Sequence, residues 1–458
     1  MTDPIRPRRP LPSGARTVLR AQAEVVAGLL RWIVLGMLVG VLGGLASAVF
    51  LVSLRWATEA FHRHGVLLWF LPLAGLAIGL AYHYGGGRSV EGNNLILGEI
   101  HDPTDWVPRR MAPMVLIGTI VTHLFGGSAG REGTAIQMSG SLTDAASRLL
   151  RLHGADRRIM LVTAIAGGFG AVFGVPLAGA VFALEVQAIG RLRYEALVPC
   201  LAASVTGDLV VRGAGIHHTI TPHLGQVDLS VGLLLKVAVA GVCFGLVSVL
   251  FSMSDHWVKQ ITGRWVGWAP ARPLLGGVVV VALTFAVGNR LYNGLSEGLI
   301  EISLAGGSVP TWAFALKLLF TAVTLGSGFV GGEVTPLFVI GATLGATLAG
   351  PLGVPPALLA ALGFVAVFAG AANTPLACTI MGVEMFGAGA VPYFAVACVI
   401  SYVFSAHQGI YRTQQSSGPK VPSWRLDRGD RVADGGSVDR GAGSGGAGDA
   451  GADGGDRT

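Results

Sequence analysis

The chain has 458 residues, of which 52% are hydrophobic and only 13% charged, with a mean hydropathy of +0.62; soluble domains carry about 25% charged residues. This balance excludes a soluble domain and predicts an all-α polytopic membrane protein. The net charge of +6 reads as topology and contact with anionic lipid rather than nucleic-acid binding, because the basic residues flank apolar runs.

Five arginines, Arg6, Arg8, Arg9, Arg16 and Arg20, mark a basic segment over 1–20 that leads into a long apolar stretch without an A-x-A cleavage site, so the first helix is expected to stay. Apolar runs then begin near Val25, Leu67, Met114, Ile159, Leu197, Leu233, Leu274, Ala313, Leu337, Leu358 and Tyr393, which predicts roughly ten or more helices. Many are short or broken by Gly and Pro. Inside a bilayer, backbone breaks survive only where protein or a polar cavity surrounds them, so the breaks point to a site. The arginine-rich start and the clusters Arg148/Arg151/Arg157/Arg158 and Arg412/Lys420/Arg425/Arg428 assign both termini to the cytoplasm. Gly36, Gly40 and Gly44, like Gly341 and Gly345, have spacings that let helices approach closely. From Ser416 to Thr458 the chain is rich in Gly, Asp and Arg and is expected to be a disordered cytoplasmic tail. Cys200, Cys243, Cys378 and Cys398 sit in apolar segments without metal-ligand spacing and read as small buried hydrophobes. His217, His218 and His223 fall in a link between halves and read as solvated loop residues, with no metal expected. No cofactor is implied.

Two motifs recur in the same order. Pro176 and Glu185 bound PLAGAVFALE, and Pro375 and Glu384 bound PLACTIMGVE, 199 residues later (375 − 176). GREGT, with Glu132, returns as GGEVT, with Glu333, 201 residues later (333 − 132). The membrane part therefore reads as two repeats, 21–225 and 226–415. In duplicated halves of opposite topology, broken helices meet near the midplane and aim their N-terminal N–H groups at a shared anion site. A carboxylate tethered at such a site can occupy it and leave when protonated, which links anion movement to proton movement. A glutamate in a first helical turn is also favoured by the helix dipole alone. Glu185 and Glu384 end their helices, where they are expected to bind backbone groups or to face a dimer interface or the cytoplasm.

These residues resemble the CLC chloride channels and transporters over nearly all of the membrane part. GREGT is similar to the segment carrying that family's gating glutamate, GGEVTP to its G-x-F-x-P segment, and FGVPLAGAVFALE to the helix that follows. GIY, Gly409 to Tyr411, is similar to the segment that supplies a pore tyrosine. The resemblance implies an inverted-repeat fold with broken helices, assembled as a homodimer with one anion pathway per subunit. By the same resemblance, the gating and proton residues are Glu132 and Glu333. The anion site draws on Asn93, Gly130, Arg131, Gly133, Thr134, Glu333, Val334, Thr335 and Tyr411.

Departures from the chloride pattern resemble the family's fluoride-exporting clade. Asn93 of GNNLI stands where a serine is usual, Thr134 replaces a proline, Glu333 and Thr335 replace apolar residues, and Val186 stands where chloride/proton antiporters commonly carry a relay glutamate. Fluoride holds its water tightly and accepts hydrogen bonds strongly, so its site must offer strong donors; Asn93 supplies two N–H groups and Thr335 a hydroxyl. The bland alternatives are that Asn93 or Asn94 caps a helix and Thr335 is a first-turn residue, and that Phe338 is a core aromatic rather than a pathway residue. The expected function is fluoride export by fluoride/proton antiport across a bacterial inner membrane. Chloride/proton antiport and a passive anion channel are the alternatives within this fold. An intramembrane hydrolase built on Ser139 and His123 is a distant one, because no nucleophile motif surrounds Ser139.

Overall fold

The computed structural model of the chain describes residues 15–190, 192–218, 222–405, 409–416 and 420. Residues 1–14 and nearly all of the expected tail lie outside the described residues. The basic segment is not wholly separate from the membrane part, since residues 15–20 already belong to the first helix.

The described residues form sixteen α-helices in two matching series of eight. The first is α1 (Ala15–Arg63), α2 (Leu71–Gly85), α3 (Asn93–His101), α4 (Met111–Leu124), α5 (Glu132–Leu149), α6 (Gly154–Phe173), α7 (Pro176–Glu185) and α8 (Leu197–Gly213). The second is α9 (Val231–Trp265), α10 (Ala271–Val287), α11 (Glu297–Leu304), α12 (Ala313–Ser327), α13 (Val334–Leu352), α14 (Pro356–Ala372), α15 (Pro375–Phe386) and α16 (Val391–Phe404). A long helix opens each series and a helix of eight or nine residues stands third. All eleven apolar runs expected from the sequence fall in these helices or in the 3₁₀ turn Gly65–Phe70 before α2. Residues Ala188–Ile189 add a short parallel strand pair with Gln415–Ser416.

Five helical segments are long and apolar enough to cross a membrane, starting at Arg20, Gly65, Tyr194, Val231 and Val334. The first four carry exposed Val, Leu or Met on their outward faces, as a lipid-facing surface requires, whereas Val334–Leu352 is mostly buried inside the protein. Trp56, Trp69, Trp257, Trp265, Trp268 and Trp312 are all more than half exposed, the pattern of residues anchored at a membrane interface.

The glycine spacings act in packing. Gly36, Gly40 and Gly44 of α1 lie on Pro199, Ala203 and Gly207 of α8, and Gly341 and Gly345 of α13 lie on Gly363 and Leu359 of α14, so closely that a Cβ would collide with backbone. Pro176 and Pro375 open α7 and α15 at the position that lacks an intrahelical N–H partner. The next two N–H groups of each helix find a carboxylate on the other: Leu177 and Ala178 donate to Glu384 at 2.9 and 2.7 Å, and Leu376 and Ala377 donate to Glu185 at 3.1 and 2.8 Å. Of the three expected positions for these glutamates, binding to backbone is the one observed. The reciprocal exchange is what a two-fold relation between the halves produces.

Candidate functional site

Two non-helical crossings meet at the middle of the molecule. Gly130 and Gly332 pair as an isolated antiparallel bridge, with N–H···O distances of 2.6 and 2.8 Å. Both positions demand glycine, because a Cβ on Gly332 would press on the N–H groups of residues 131–133 and one on Gly130 on Pro336. The bridge sets the starts of α5 and α13 side by side.

Glu132, the first residue of α5, is fully buried and turns its carboxylate onto the start of α13. Its Oε2 accepts the Thr335 N–H at 3.0 Å and the Arg131 N–H at 3.1 Å, and its Oε1 accepts the Thr335 hydroxyl. A helix N-terminus with a free N–H and a hydroxyl is an anion site, and here a tethered carboxylate fills it. Gly133 packs against Gly332 and the Asn93 amide, Val334 is the first residue of α13, and Thr134 spends its hydroxyl on Thr119 of α4, 2.6 Å away. Thr134 and Thr335, equivalent in the two motifs, therefore do different things.

Glu333 behaves unlike Glu132. Among the described residues its carboxylate accepts no hydrogen bond; it lines a cavity of about 320 Å³ with Asn93, Gln137, Lys259 and Tyr411. The charges acting on it are Lys259, Asp255 and Arg412. Lys259 is held by Asp255 at 2.6 Å. The Tyr411 hydroxyl is buried without a partner among the described residues, as is the Asn93 Oδ1. Asn93 makes no capping bond for α3. Asn94 does a different job, its Oδ1 accepting the Arg412 N–H at 2.9 Å, which ties the Tyr411 segment to α3. That segment is further fixed by Ile410 N–H to Ala371 O at 2.9 Å. A buried charge cluster anchors α3 itself: Arg157 bonds Glu99 at 3.2 Å and Asp144 at 2.7 Å, and Arg88 also reaches Glu99.

On the other side of Glu132, Arg131 lines a second cavity of about 410 Å³ with Glu297, Glu59, His62, His217 and His218. Its Nη1 lies 3.0 Å from Glu297 and its Nε 3.7 Å from Glu132. Late residues of α1 reach this cavity, whereas Lys259, late in the counterpart helix α9, reaches the Glu333 cavity, as opposite topology of the halves requires. His217 and His223 are exposed, and folding brings Asp208 to within 3.2 Å of His218.

Val186 is buried beside Phe182 and Tyr411, so no carboxylate stands at that point. Phe338 is a core aromatic, stacked on Phe364 with ring centroids 4.0 Å apart. The ring nitrogens of His123 face the carbonyls of Thr119 and Ala129, at 2.8 and 3.1 Å, and neither reaches Ser139, which leaves the hydrolase reading without its base. Sequence reasoning did not find Gln137, Lys259, Glu297 or Lys317. The signal that could have found the two lysines is a charged residue inside an otherwise apolar helix.

Sixteen helices in two inverted series, with a carboxylate of one half seated on a helix start of the other, define a membrane protein of the CLC architecture. The voltage-gated chloride channel profile matches residues 74–406, and the chain belongs to that family, whose members move anions and protons. It is 47% identical over 400 residues to a chloride/fluoride channel protein of Pseudomonas syringae pv. tomato, covering 86% of this chain and 88% of that one. It is 25% identical to the H(+)/Cl(-) exchange transporter ClcA of Yersinia pestis, over 77% of this chain and 80% of that one. Among solved structures, a CLC-type fluoride/proton antiporter superposes with a TM-score of 0.83 at 34% identity, covering 85% of this chain and 98% of the other.

Proposed function

We propose that the protein is a fluoride/proton antiporter that exports fluoride across a bacterial inner membrane as a homodimer, with one pathway in each subunit. The observation that carries this reading is the Glu132 carboxylate seated on the N–H and hydroxyl of Thr335. When Glu132 takes a proton it loses the charge that holds it there, and an anion can take its place. Fluoride needs donors to replace its water, and Thr335, Asn93 and Tyr411 supply them along the path toward the Glu333 cavity. Because Val186 cannot carry a proton, Glu333 is the carboxylate that would exchange protons with that cavity. The name of the solved antiporter supports fluoride as the anion, and that of the Pseudomonas syringae relative includes fluoride beside chloride.

Sidedness follows from charge. Arg31 in the early part of α1 pairs with Asp156 beside the basic cluster Arg148–Arg158, so the start of α1 and that cluster share one side, the cytoplasmic one. The late part of α1, and with it the Arg131 cavity, then faces outward; the Glu333 cavity faces the cytoplasm.

The test is flux in proteoliposomes followed with fluoride and chloride electrodes and a pH dye. Fluoride should move at least about tenfold faster than chloride, a difference of ~1.4 kcal/mol, and a fluoride gradient should drive protons uphill. Equal rates for the two anions would transfer the reading to chloride/proton exchange, which the name of the Yersinia relative favours. Fluoride movement without protons would transfer it to a passive channel.

A further inference from the structure

Lys317 is the one charged residue of α12 and is fully buried. An ammonium within a membrane is costly unless it is partnered, and among the described residues no carboxylate lies within ion-pair distance of this one. Its Nζ donates instead to Gly294 O at 2.7 Å, to Ser296 Oγ at 2.9 Å and to Tyr292 O at 3.3 Å. All three acceptors belong to the turn that opens α11. Twice in that turn the backbone is left-handed, at Gly294 and at Ser296, both with φ of 60°, a conformation that a residue with a side chain rarely adopts. A clamped and strained turn must hold something in place.

It holds Glu297, the first residue of α11. Glu297 shares the Arg131 guanidinium with the gate: Nη1 meets Glu297 at 3.0 Å and Nε lies 3.7 Å from Glu132. The two carboxylates differ in access. Glu297 has a side chain 36% exposed and lines the outward cavity, whereas Glu132 has no exposure at all. The repeat gives the position further meaning. α11 is the counterpart of α3, and Glu297 follows a left-handed Ser296 as Asn93 follows Gly92 with φ of 61°. Asn93 stands in the inner cavity and Glu297 in the outer one.

We propose that Glu297 is the outer proton station of the exchange, taking a proton from the water of the outward cavity and passing it to Glu132. The inference rests on the proton-coupled reading above. In the step, the O–H bond on Glu297 breaks and one forms on Glu132 as that side chain leaves Thr335. Arg131 stays cationic throughout and pairs with whichever carboxylate is charged. With one proton on either glutamate the cluster of three is neutral, so the transfer moves no net charge into the protein. The other titratable or charged groups of the cavity are Arg55, Glu59 and His62 of α1 and His217 and His218 of the link. Glu59 sits between Arg55 at 3.2 Å and Arg63 at 3.0 Å, much as Glu297 sits on Arg131, and Asp208 lies 3.2 Å from His218, so Glu59, His62 and His217 are the rival stations.

The test uses the full-length protein in liposomes with pH set separately on each side. Wild type is measured first: if a fluoride gradient drives no protons, the parent reading falls and this proposal with it, before any variant is compared. In a coupled wild type, Glu297→Gln should slow proton movement by at least about tenfold and flatten its dependence on outer pH, with the inner-pH dependence unchanged. Glu297→Cys should behave like Gln when capped with a neutral methanethiosulfonate and recover when capped with a carboxylate-bearing one, which separates a carboxylate's chemistry from a fold defect. A wild-type outer-pH profile in Glu297→Gln, equal behaviour with the two caps, or a profile moved only by Glu59→Gln or by His62→Gln with His217→Gln overturns the assignment.

Discussion

Two pairs of duplicated glutamates behave in opposite ways. Glu185 and Glu384 obey the repeat: each gives both carboxylate oxygens to the first free N–H groups of the other's helix, at 2.7 to 3.1 Å. Glu132 and Glu333 break it. Glu132 crosses to the start of α13 and is buried there, while Glu333 leaves the start of α5 alone and faces a cavity. A symmetric pair satisfies backbone on both sides and has nothing left to exchange. In the asymmetric pair one carboxylate occupies the helix start of the other half and its counterpart lines a cavity, which is the arrangement the proposed exchange needs.

The largest expected effect comes from removing the charge that breaks the symmetry. Glu132→Gln keeps shape but cannot gain or lose a proton, so fluoride-driven proton uptake should fall to background, a loss of more than about a hundredfold; a pH-dye trace at wild-type rate would return GREGT to the status of a plain helix start. Next is the seat itself. Thr335→Val removes the hydroxyl but keeps the N–H, and losing a hydrogen bond to a charged group, about 1.5–3 kcal/mol, should lower fluoride flux by about ten- to a hundredfold. Thr134→Val, its counterpart, should change flux little, because its hydroxyl serves Thr119; equal losses at the two threonines would erase the contrast.

Smaller effects sharpen the comparison further. Glu333→Gln should reduce protons moved per fluoride by about three- to tenfold while leaving fluoride itself mobile, measured as the fluoride gradient needed to null proton flow. An unchanged ratio would remove Glu333 from the proton path. The smallest change is expected from the symmetric pair. Glutamine offers one acceptor where glutamate offers two, so Glu185→Gln and Glu384→Gln should each orphan one helix N–H and lower stability by about 1 kcal/mol. Thermal melting in detergent should show the same small drop for both, with the proton-to-fluoride ratio intact; unequal drops would mean that this pair is not symmetric either.

Much of this was legible in the chain. Composition and apolar runs announced the membrane helices, and the paired offsets of 199 and 201 residues announced the duplication, because lipid forces a compositional signal and repeats preserve spacing. The helices that hydropathy overlooked include those that carry the candidate site. α5 contains Gln137, Ser139, Ser141, Thr143 and Asp144, all buried, and passes for a soluble helix since protein rather than lipid surrounds it. α3, α7, α11 and α15 are too short to register as spans.

The sequence by itself determined the class, the repeat and which residue types could bind an anion, since these follow from local composition and order. Tertiary structure alone decided which of two equivalent glutamates crosses to the other half's helix start, that Thr134 turns to Thr119 while Thr335 turns to Glu132, and that Glu297 from the second half shares Arg131 with the first. Each of these depends on contacts between residues up to about two hundred positions apart, and no local pattern encodes the direction in which a carboxylate turns once two helix starts are brought side by side.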